Sequence, residues 1–554
     1  MIKQPRFLPI SKDELKSLGW HQADVIIVSG DAYVDHPSFG AALIGRYLVS
    51  LGYRVAILPQ PRWDSVDAFM QLGEPALCFA VTSGNMDSMV NHYTSFRLIR
   101  SDDPYSPDQK TGFRPNRAVI VYTNRLKEAY PDKPVVLGGI EASMRRFVHY
   151  DFWQDRIRAS ILIDARADIL VYGQAERGLS AVMSRLRDKK DISGIDGSCI
   201  VRKDMPQIEN PVILPRYEDI LDKPQLLLDA SLTVEKVLAT GSGRVITQAH
   251  SKGILIHYPP QQALTQEDLD GIYNLPYSRV EHPSYKAPIH ALLSVRDSVT
   301  VIRGCGGACT YCALGLHQGR ELVSRSIGSV LQEIEAIKRT QGFQGHIKDL
   351  GGPTANLYGL RCRKGYKDCN RVSCLYPSPC PNLSQDYKPL LDLWREARGV
   401  KGIRLVTIGS GFRHELLNDE VLGELCRYHV SGHLKVAPEH VSKGVLDGMR
   451  RADFSRFTAF MDSFKRHSKA SGKAQYLVPY FISGFPGCKL EDMRLAQGFL
   501  SKHNWKPQQV QAFLPSPGTI ATAMYVAERD WRGRSIFVAK KDSDKRRQYN
   551  IFFR

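Results

Sequence analysis

The run Gly304-Cys305-Gly306-Gly307-Ala308-Cys309-Thr310-Tyr311-Cys312 constrains this chain more than any other stretch. It sets three thiols within eight residues, in a C-x3-C-x2-C spacing among glycines. Three thiolates so close together suit three irons of a [4Fe–4S] cube and leave the fourth iron without a protein ligand, open to a reactant. The glycines supply the backbone freedom that a tight wrap requires. Zinc is the alternative, because Cys305, Cys309 and Cys312 with His317 would form a four-coordinate Cys3His set. Zinc sites usually pair two C-x2-C knuckles across a longer gap, so the spacing favours iron and sulfide.

Composition sets the frame around that loop. A chain of 554 residues, 43% hydrophobic, divides into two or more domains with a sizeable core. No stretch approaches the roughly 18 apolar residues of a membrane helix, and the start, Met1-Ile-Lys-Gln-Pro, lacks a secretory apolar region. A cytoplasmic protein with no membrane partner is expected. Eleven cysteines in a reducing compartment suit metal binding better than disulfides. The net charge of +18, from 75 basic and 57 acidic residues, would favour an anionic partner such as RNA without specifying one. Arg145-Arg146, Arg361-Cys-Arg363-Lys364, Lys540-Lys541 and Lys545-Arg546-Arg547 read as solvated surface clusters.

The first part alternates strands and helices. An apolar run at 24–28, a turn at Gly30, a helical stretch at 39–51 and a second strand at 54–58 make a βαβ unit. Further strands are expected at 76–81, 117–122, 134–137 and 168–172. Residues 1–204 therefore read as a Rossmann-like α/β domain of the cobalamin-binding kind, with a parallel sheet whose functional loops lie at the strand C-termini. The string Asp35-His36-Pro37-Ser38-Phe39-Gly40 is nearest to a cobalt-ligating histidine motif, but its aspartate and histidine are adjacent rather than one residue apart. The reading is thus against cobalamin. Residues 205–295, rich in proline, tyrosine and polar residues, read as a connector with a short helix near 264–272.

From Ser298 the pattern regularises. Strands are expected at 298–302, 346–350, 403–408, 433–437, 475–482 and 509–513, with helices between most of them. One of these helices is capped by Ser326 and carries Ile327, Val330, Leu331, Ile334 and Ile337 at helical spacing. The α/β alternation implies a partial (β/α)6 barrel over 296–528, with its site at the strand C-terminal ends. A cysteine-rich insertion spans 357–383, and a basic tail spans 529–554. The insertion, which holds three prolines and little apolar content, puts Cys362, Cys369, Cys374 and Cys380 into nineteen residues. Such a stretch buries little surface, so a structural zinc or an auxiliary iron–sulfur cluster would supply the missing core; four unligated thiols remain the plain alternative. The scattered Cys78, Cys199, Cys426 and Cys488 read as ordinary small apolar residues. Glu439 and His440, just after a strand, are candidates for proton handling.

The loop Arg303 to Cys312, the segment Asp349-Leu-Gly-Gly-Pro-Thr-Ala-Asn356, Lys435-Val-Ala-Pro-Glu-His440 and Asp31 to Gly40 together resemble the YgiQ family of bacterial radical SAM proteins. The resemblance runs over most of the chain, although members continue into a longer C-terminal region. It implies one [4Fe–4S] cluster on Cys305, Cys309 and Cys312 with an exchangeable S-adenosylmethionine. Gly351, Gly352 and Pro353 would face the amino group of that nucleotide, while Ser410 and Arg413 offer a hydroxyl and a guanidinium to its ribose and carboxylate. It further implies an electron donor of flavodoxin or ferredoxin type. A 5′-deoxyadenosyl radical would act on a substrate that the family does not settle, an RNA or protein modification being conceivable. A non-catalytic, zinc-stabilised nucleic-acid-binding protein is the competing reading.

Overall fold

The computed structural model describes residues 3–367, 369–416, 418–506 and 509–553. Met1 and Ile2 of the expected first domain, Asp368 of the insertion and Arg554 of the tail lie outside the described residues. The chain separates into two compact units, Met1–Gln262 with Gly271–Arg296, and Ala263–Asp270 with Asp297–Arg554.

The first unit is built on nine strands: β1 Val25–Ser29, β2 Val55–Pro59, β3 Cys78–Thr82, β4 Val135–Leu137, β5 Ile169–Val171, β6 Ser198–Arg202, β7 Val212–Leu214, β8 Ile246–His250 and β9 Gly253–His257. Their order is β2-β1-β3-β4-β5-β6-β9-β8-β7. The first five run parallel. All five residues of β1 are buried, as a strand covered on both faces by helices requires. The order 2-1-3-4-5 is that of a doubly wound sheet whose ligand crevice opens where the winding reverses, between β1 and β3.

Two expectations for this unit are corrected. Residues 118–122 of the expected strand 117–122 lie in a helix, Ala118–Ala129, and Arg117 precedes it as its N-cap. Ala118, Val119, Tyr122, Thr123 and Leu126 are its buried residues, a helical spacing that the β-branched run Val-Ile-Val disguises. The stretch 205–295, expected to be a connector, supplies β7, β8 and β9 and a fifteen-residue helix, Leu226–Thr240. These strands extend the sheet past β6.

The second unit carries parallel strands β10 Ser298–Thr300, β11 His346–Ile347, β12 Asp349–Gly351, β13 Leu405–Val406, β14 His433–Glu439, β15 Tyr476–Ser483 and β16 Gln509–Ala512. β10 pairs with β12, β11 with β13, and β14 with β15 and then β16. A parallel bridge between Phe412 and Val436 links the third position to the fourth. With β11 and β12 as one interrupted strand, six positions follow in chain order, the partial barrel that the sequence implied. Helices Ile327–Lys338, Lys388–Gly399, Phe454–Ala470 and Leu490–Lys502 separate them. Ser326 caps the first, its hydroxyl accepting from the Ser329 amide at 3.1 Å.

The basic tail is not simply polar surface. Its helix Asp542–Ile551 buries Lys545 and Gln548, the latter donating to the Cys488 carbonyl at 2.8 Å, and Phe552 packs on Phe481. No helix among the described residues is long and apolar enough to cross a membrane.

Candidate functional site

The cysteine loop leaves β10 and is pinned along its length. Val301 donates to the Gly351 carbonyl at 2.8 Å, Cys305 to Gly319 at 3.0 Å and Thr310 to Met449 at 3.2 Å. Gly304 has φ +87°, and a Cβ there would stand 1.7 Å from the Glu321 carbonyl oxygen, so no other residue fits. Cys305 and Cys309 are buried and Cys312 is partly buried.

Arg413 is buried and donates through Nη2 to the Cys309 sulfur at 3.2 Å. A Cβ on Gly307 would come within 2.2 Å of that nitrogen and 3.5 Å of the Cys305 sulfur, so the missing side chain is what lets the two meet. Arg451 stands behind, 4.0 Å from the same sulfur, with Nη2 on the Ala437 carbonyl at 2.6 Å. Glu415 balances both guanidiniums at 3.3 and 3.8 Å. Burial alone would push the Cys309 thiol up, but Arg413 and Arg451 hold it below its ordinary range. Burial and the neighbouring Cys309 and Cys305 push the Cys312 thiol up to about 12. The loop therefore presents one thiol prone to ionise and another that ionises once a cation binds.

The strand ends beside the loop are tightly fitted. Asp349 accepts from the amides of Gly409 and Ser410, at 2.9 and 3.1 Å, and from the Ser410 hydroxyl. Ser410 is thus tied to a carboxylate. A Cβ on Gly351 would lie 2.0 Å from the Ser410 oxygen, and one on Gly352 would lie 2.6 Å from the Ile302 carbonyl oxygen. The Gly351 carbonyl is committed to Val301, which leaves the Gly352-Pro353 backbone as the part of that segment free of the sheet ladder.

Glu439 and His440 part company. Glu439 sits at a β-bulge with φ +69°, and its Oε1 accepts from the Tyr311 hydroxyl at 2.7 Å. That places it against the cysteine loop, and burial raises its pKa despite Arg451. His440 turns away: its Nδ1 accepts from the Ser442 amide at 3.0 Å, and Nε2 lies 3.7 Å from the Cys488 sulfur. Burial pushes its pKa down to about 4, so the ring is neutral near pH 7.

Sequence reasoning missed Arg451, Glu415 and Asp349. Only Asp349, an acid immediately before Leu-Gly-Gly at a strand end, carried a readable signal.

The equivalent edge of the first unit is filled. Arg114 bridges Asp31 and Asp103 at 3.0 and 3.2 Å and donates to the Ser83 carbonyl at 2.7 Å. The Asn85 amide caps Asp31 at 2.7 Å. A Cβ on Gly30 would lie 2.2 Å from the Ser83 oxygen, so β1 and β3 meet where the crevice should open. A small cavity beside it is lined by Asp31, Tyr33 and Phe39 among others.

Asp35 is held by Arg46, Oδ1 to Nε at 2.9 Å and Oδ2 to Nη2 at 2.5 Å. The Ser38 amide donates to His36 Nδ1 at 3.1 Å, so the proton of the neutral ring is on Nε2, the atom a metal would need bare. Burial and Arg279 keep that ring neutral. Arg145 and Arg146, expected as solvated surface, are buried; Arg145 pairs with Asp87, and Arg146 donates to His257.

Comparison with known proteins places this geometry. Residues 7–298 match the radical SAM N-terminal family model, and residues 299–497 match that of the radical SAM superfamily. A UPF0313 protein of Methanocella arvoryzae is 44% identical, covering 97% of this chain and 91% of that one. The UPF0313 protein YgiQ of Escherichia coli K12 is 41% identical over 98% of this chain and 82% of its own. Among solved structures, the radical S-adenosylmethionine methyltransferase TsrM from Kitasatospora setae, with cobalamin and a [4Fe–4S] cluster bound, aligns with a TM-score of 0.54 at 13% identity, covering 91% of this chain and 75% of TsrM. That likeness supports the two-part fold. The cobalamin is a property of TsrM.

Proposed function

The chain belongs to the UPF0313 family of radical SAM enzymes, and from that premise we propose that Cys305, Cys309 and Cys312 hold its [4Fe–4S] cluster, with S-adenosylmethionine on the fourth iron. Bound there, cluster and nucleotide supply reductive cleavage of the sulfonium to methionine and a 5′-deoxyadenosyl radical that takes hydrogen from a substrate. The observation that carries the reading is the approach of Arg413 and Arg451 to the Cys309 sulfur in a loop whose backbone is fixed at several points. Guanidinium groups favour the thiolate that iron requires.

Other residues take supporting parts. Gly352 and Pro353 are placed to offer backbone to the nucleotide, and Asp349 orients Ser410 beside them. Glu439, with its raised pKa and the Tyr311 hydroxyl on one oxygen, is the group best suited to hold a proton near the reacting centre. The strained backbone at Glu439 supports a functional part. The electron comes from a small reductant protein of flavodoxin or ferredoxin type.

Arg46, Arg114, Arg145, Arg325 and Arg413 are buried against carboxylates and so offer nothing to RNA, while such neutral pairs leave the net excess of 18 unchanged. Among the described residues no contact favours RNA over a protein or small-molecule substrate. We read the first unit as a sheet domain without histidine-ligated cobalamin, on the tautomer of His36 and the engagement of Asp35. Anaerobic reconstitution with iron and sulfide, followed by reduction with S-adenosylmethionine present, tests the reading. Deoxyadenosine and methionine are expected in equal amounts, and recovery of intact nucleotide from iron-loaded protein contradicts it.

A further inference from the structure

The second group of cysteines lies against the first loop. Cys374 donates its amide to the Gly306 carbonyl at 2.8 Å, and the Ser373 hydroxyl donates to the Gly307 carbonyl at 2.7 Å. A Cβ on Gly306 would stand 3.1 Å from the Cys374 sulfur, so this glycine makes room for the second group as Gly307 does for Arg413. The Cys380 amide donates to the Cys374 carbonyl at 2.8 Å. Cys362 forms an antiparallel bridge with Leu383, which brings the two ends of the segment together.

One side chain gathers two of the thiols. Arg320 directs Nη2 at the sulfurs of Cys369 and Cys374, at 3.5 and 3.7 Å, and anchors Nη1 on the Arg371 carbonyl at 2.7 Å. Its guanidinium lies 5.3 Å over the Tyr366 ring. A cation donating N–H groups to sulfur suits a negatively charged, sulfur-rich group.

The segment itself has little else to hold it. Among the described residues between 361 and 384 the only strand pairing is that single bridge, and Leu375 and Leu383 are the buried aliphatic side chains. A long ordered loop without its own core needs another source of folding free energy, which ligated metal supplies. A zinc ion would draw four sulfurs to about 2.3 Å from one point. Among the described residues no three His, Cys, Asp or Glu side chains make such a single-ion site. A polynuclear cluster sets its thiolates on separate irons and does not ask for that convergence.

We propose that Cys362, Cys369, Cys374 and Cys380 bind a second iron–sulfur cluster, fully ligated by the protein and seated against the loop of the first. Arg320 supplies hydrogen bonds to its sulfurs. The site goes beyond the radical SAM reading and does not depend on it.

Iron and acid-labile sulfide are counted in anaerobically reconstituted full-length protein. The first set alone accounts for about four of each per chain. The proposal expects clearly more than that, with sulfide matching iron. In the triple variant Cys305→Ala, Cys309→Ala, Cys312→Ala, the second cluster should remain visible by colour and electron paramagnetic resonance while cleavage of S-adenosylmethionine disappears. In Cys369→Ser, at a half-buried position, the excess iron should fall while cleavage stays measurable. Four or fewer irons in the unaltered protein overturn the proposal, as does zinc without sulfide, or a Cys369–Cys374 disulfide, in the triple variant. The first of these counts needs no substituted protein to fold. A second cluster in a protein that never cleaves the nucleotide would sink the radical SAM reading and leave this one standing.

Discussion

The strand ends of the two units solve opposite problems with the same residues. In the first unit, arginines at the sheet's C-terminal edge meet carboxylates, as Arg46 meets Asp35 and Arg114 meets Asp31 and Asp103. In the second, Arg413 and Arg451 share one carboxylate, Glu415, and turn their remaining donors toward a thiol. Charge matched by charge closes an edge; charge left facing a sulfur prepares it for a cationic centre. Fold alone places a ligand site at both edges, and the side chains decide which of them keeps it.

Removing one thiol should produce the sharpest division. Cys309→Ala is expected to abolish iron retention at the first set and reduce cleavage of S-adenosylmethionine to background, measured as deoxyadenosine by chromatography. No single change at the first unit's edge should do this.

Arg46→Ala strands Asp35 without its cation in a fully buried place, and should cost about 3–5 kcal/mol of stability in denaturant titration. Cleavage per folded molecule should not change. If cleavage falls in step with nothing lost in stability, the closed edge is a working site and the contrast breaks.

Titration sharpens the contrast further through one group from each unit, Asp31 and His440, whose contributions to stability change with pH in opposite directions. Burial pushes Asp31 up to about 6, so the native state binds its proton more readily than the unfolded chain does. Stability from this group therefore declines as pH rises from about 4 through 6, by at most about 3 kcal/mol. His440, pushed down to about 4, gives stability that is full above about 6.5 and is lost as pH falls toward 4. Asp31→Asn should flatten the first slope and His440→Gln the second, in unfolding followed across that range.

The smallest effects come from two glycines. Gly30→Ala drives a methyl into the Ser83 carbonyl and should cost about 1–3 kcal/mol with cleavage per folded molecule intact. Gly304→Ala, at positive φ beside the Glu321 carbonyl, should instead lower cleavage several-fold by moving the cysteine loop. Equal behaviour of the two would erase the distinction between the edges.

Much of the architecture was legible because periodicity and punctuation agreed. Ser326 and the apolar residues after it announced a capped helix, and the apolar run at 24–28 announced the central strand. The helix at Ala118–Ala129 was hidden because Val119, Ile120 and Val121 carry strand propensity that burial at helical spacing overrides. The strands within 205–295 were hidden because proline and polar residues surround short pairings that only the neighbouring sheet stabilises. At the site, the cysteines spoke through their spacing. Arg451 could not, since its meeting with Cys309 joins residues 142 apart in the chain. Nor could adjacency in sequence separate Glu439 from His440: Glu439 faces the loop, while the bulge at that point turns the imidazole toward Cys488.

The account turns on an iron left open for the nucleotide beside Cys305, Cys309 and Cys312. Mössbauer spectra of iron-57-loaded, oxygen-free protein, taken with and without S-adenosylmethionine, address it most directly. One iron of the first cluster should change its signal on adding the nucleotide, and the change should vanish in Cys309→Ala. Spectra identical with and without the nucleotide in fully loaded protein would contradict it.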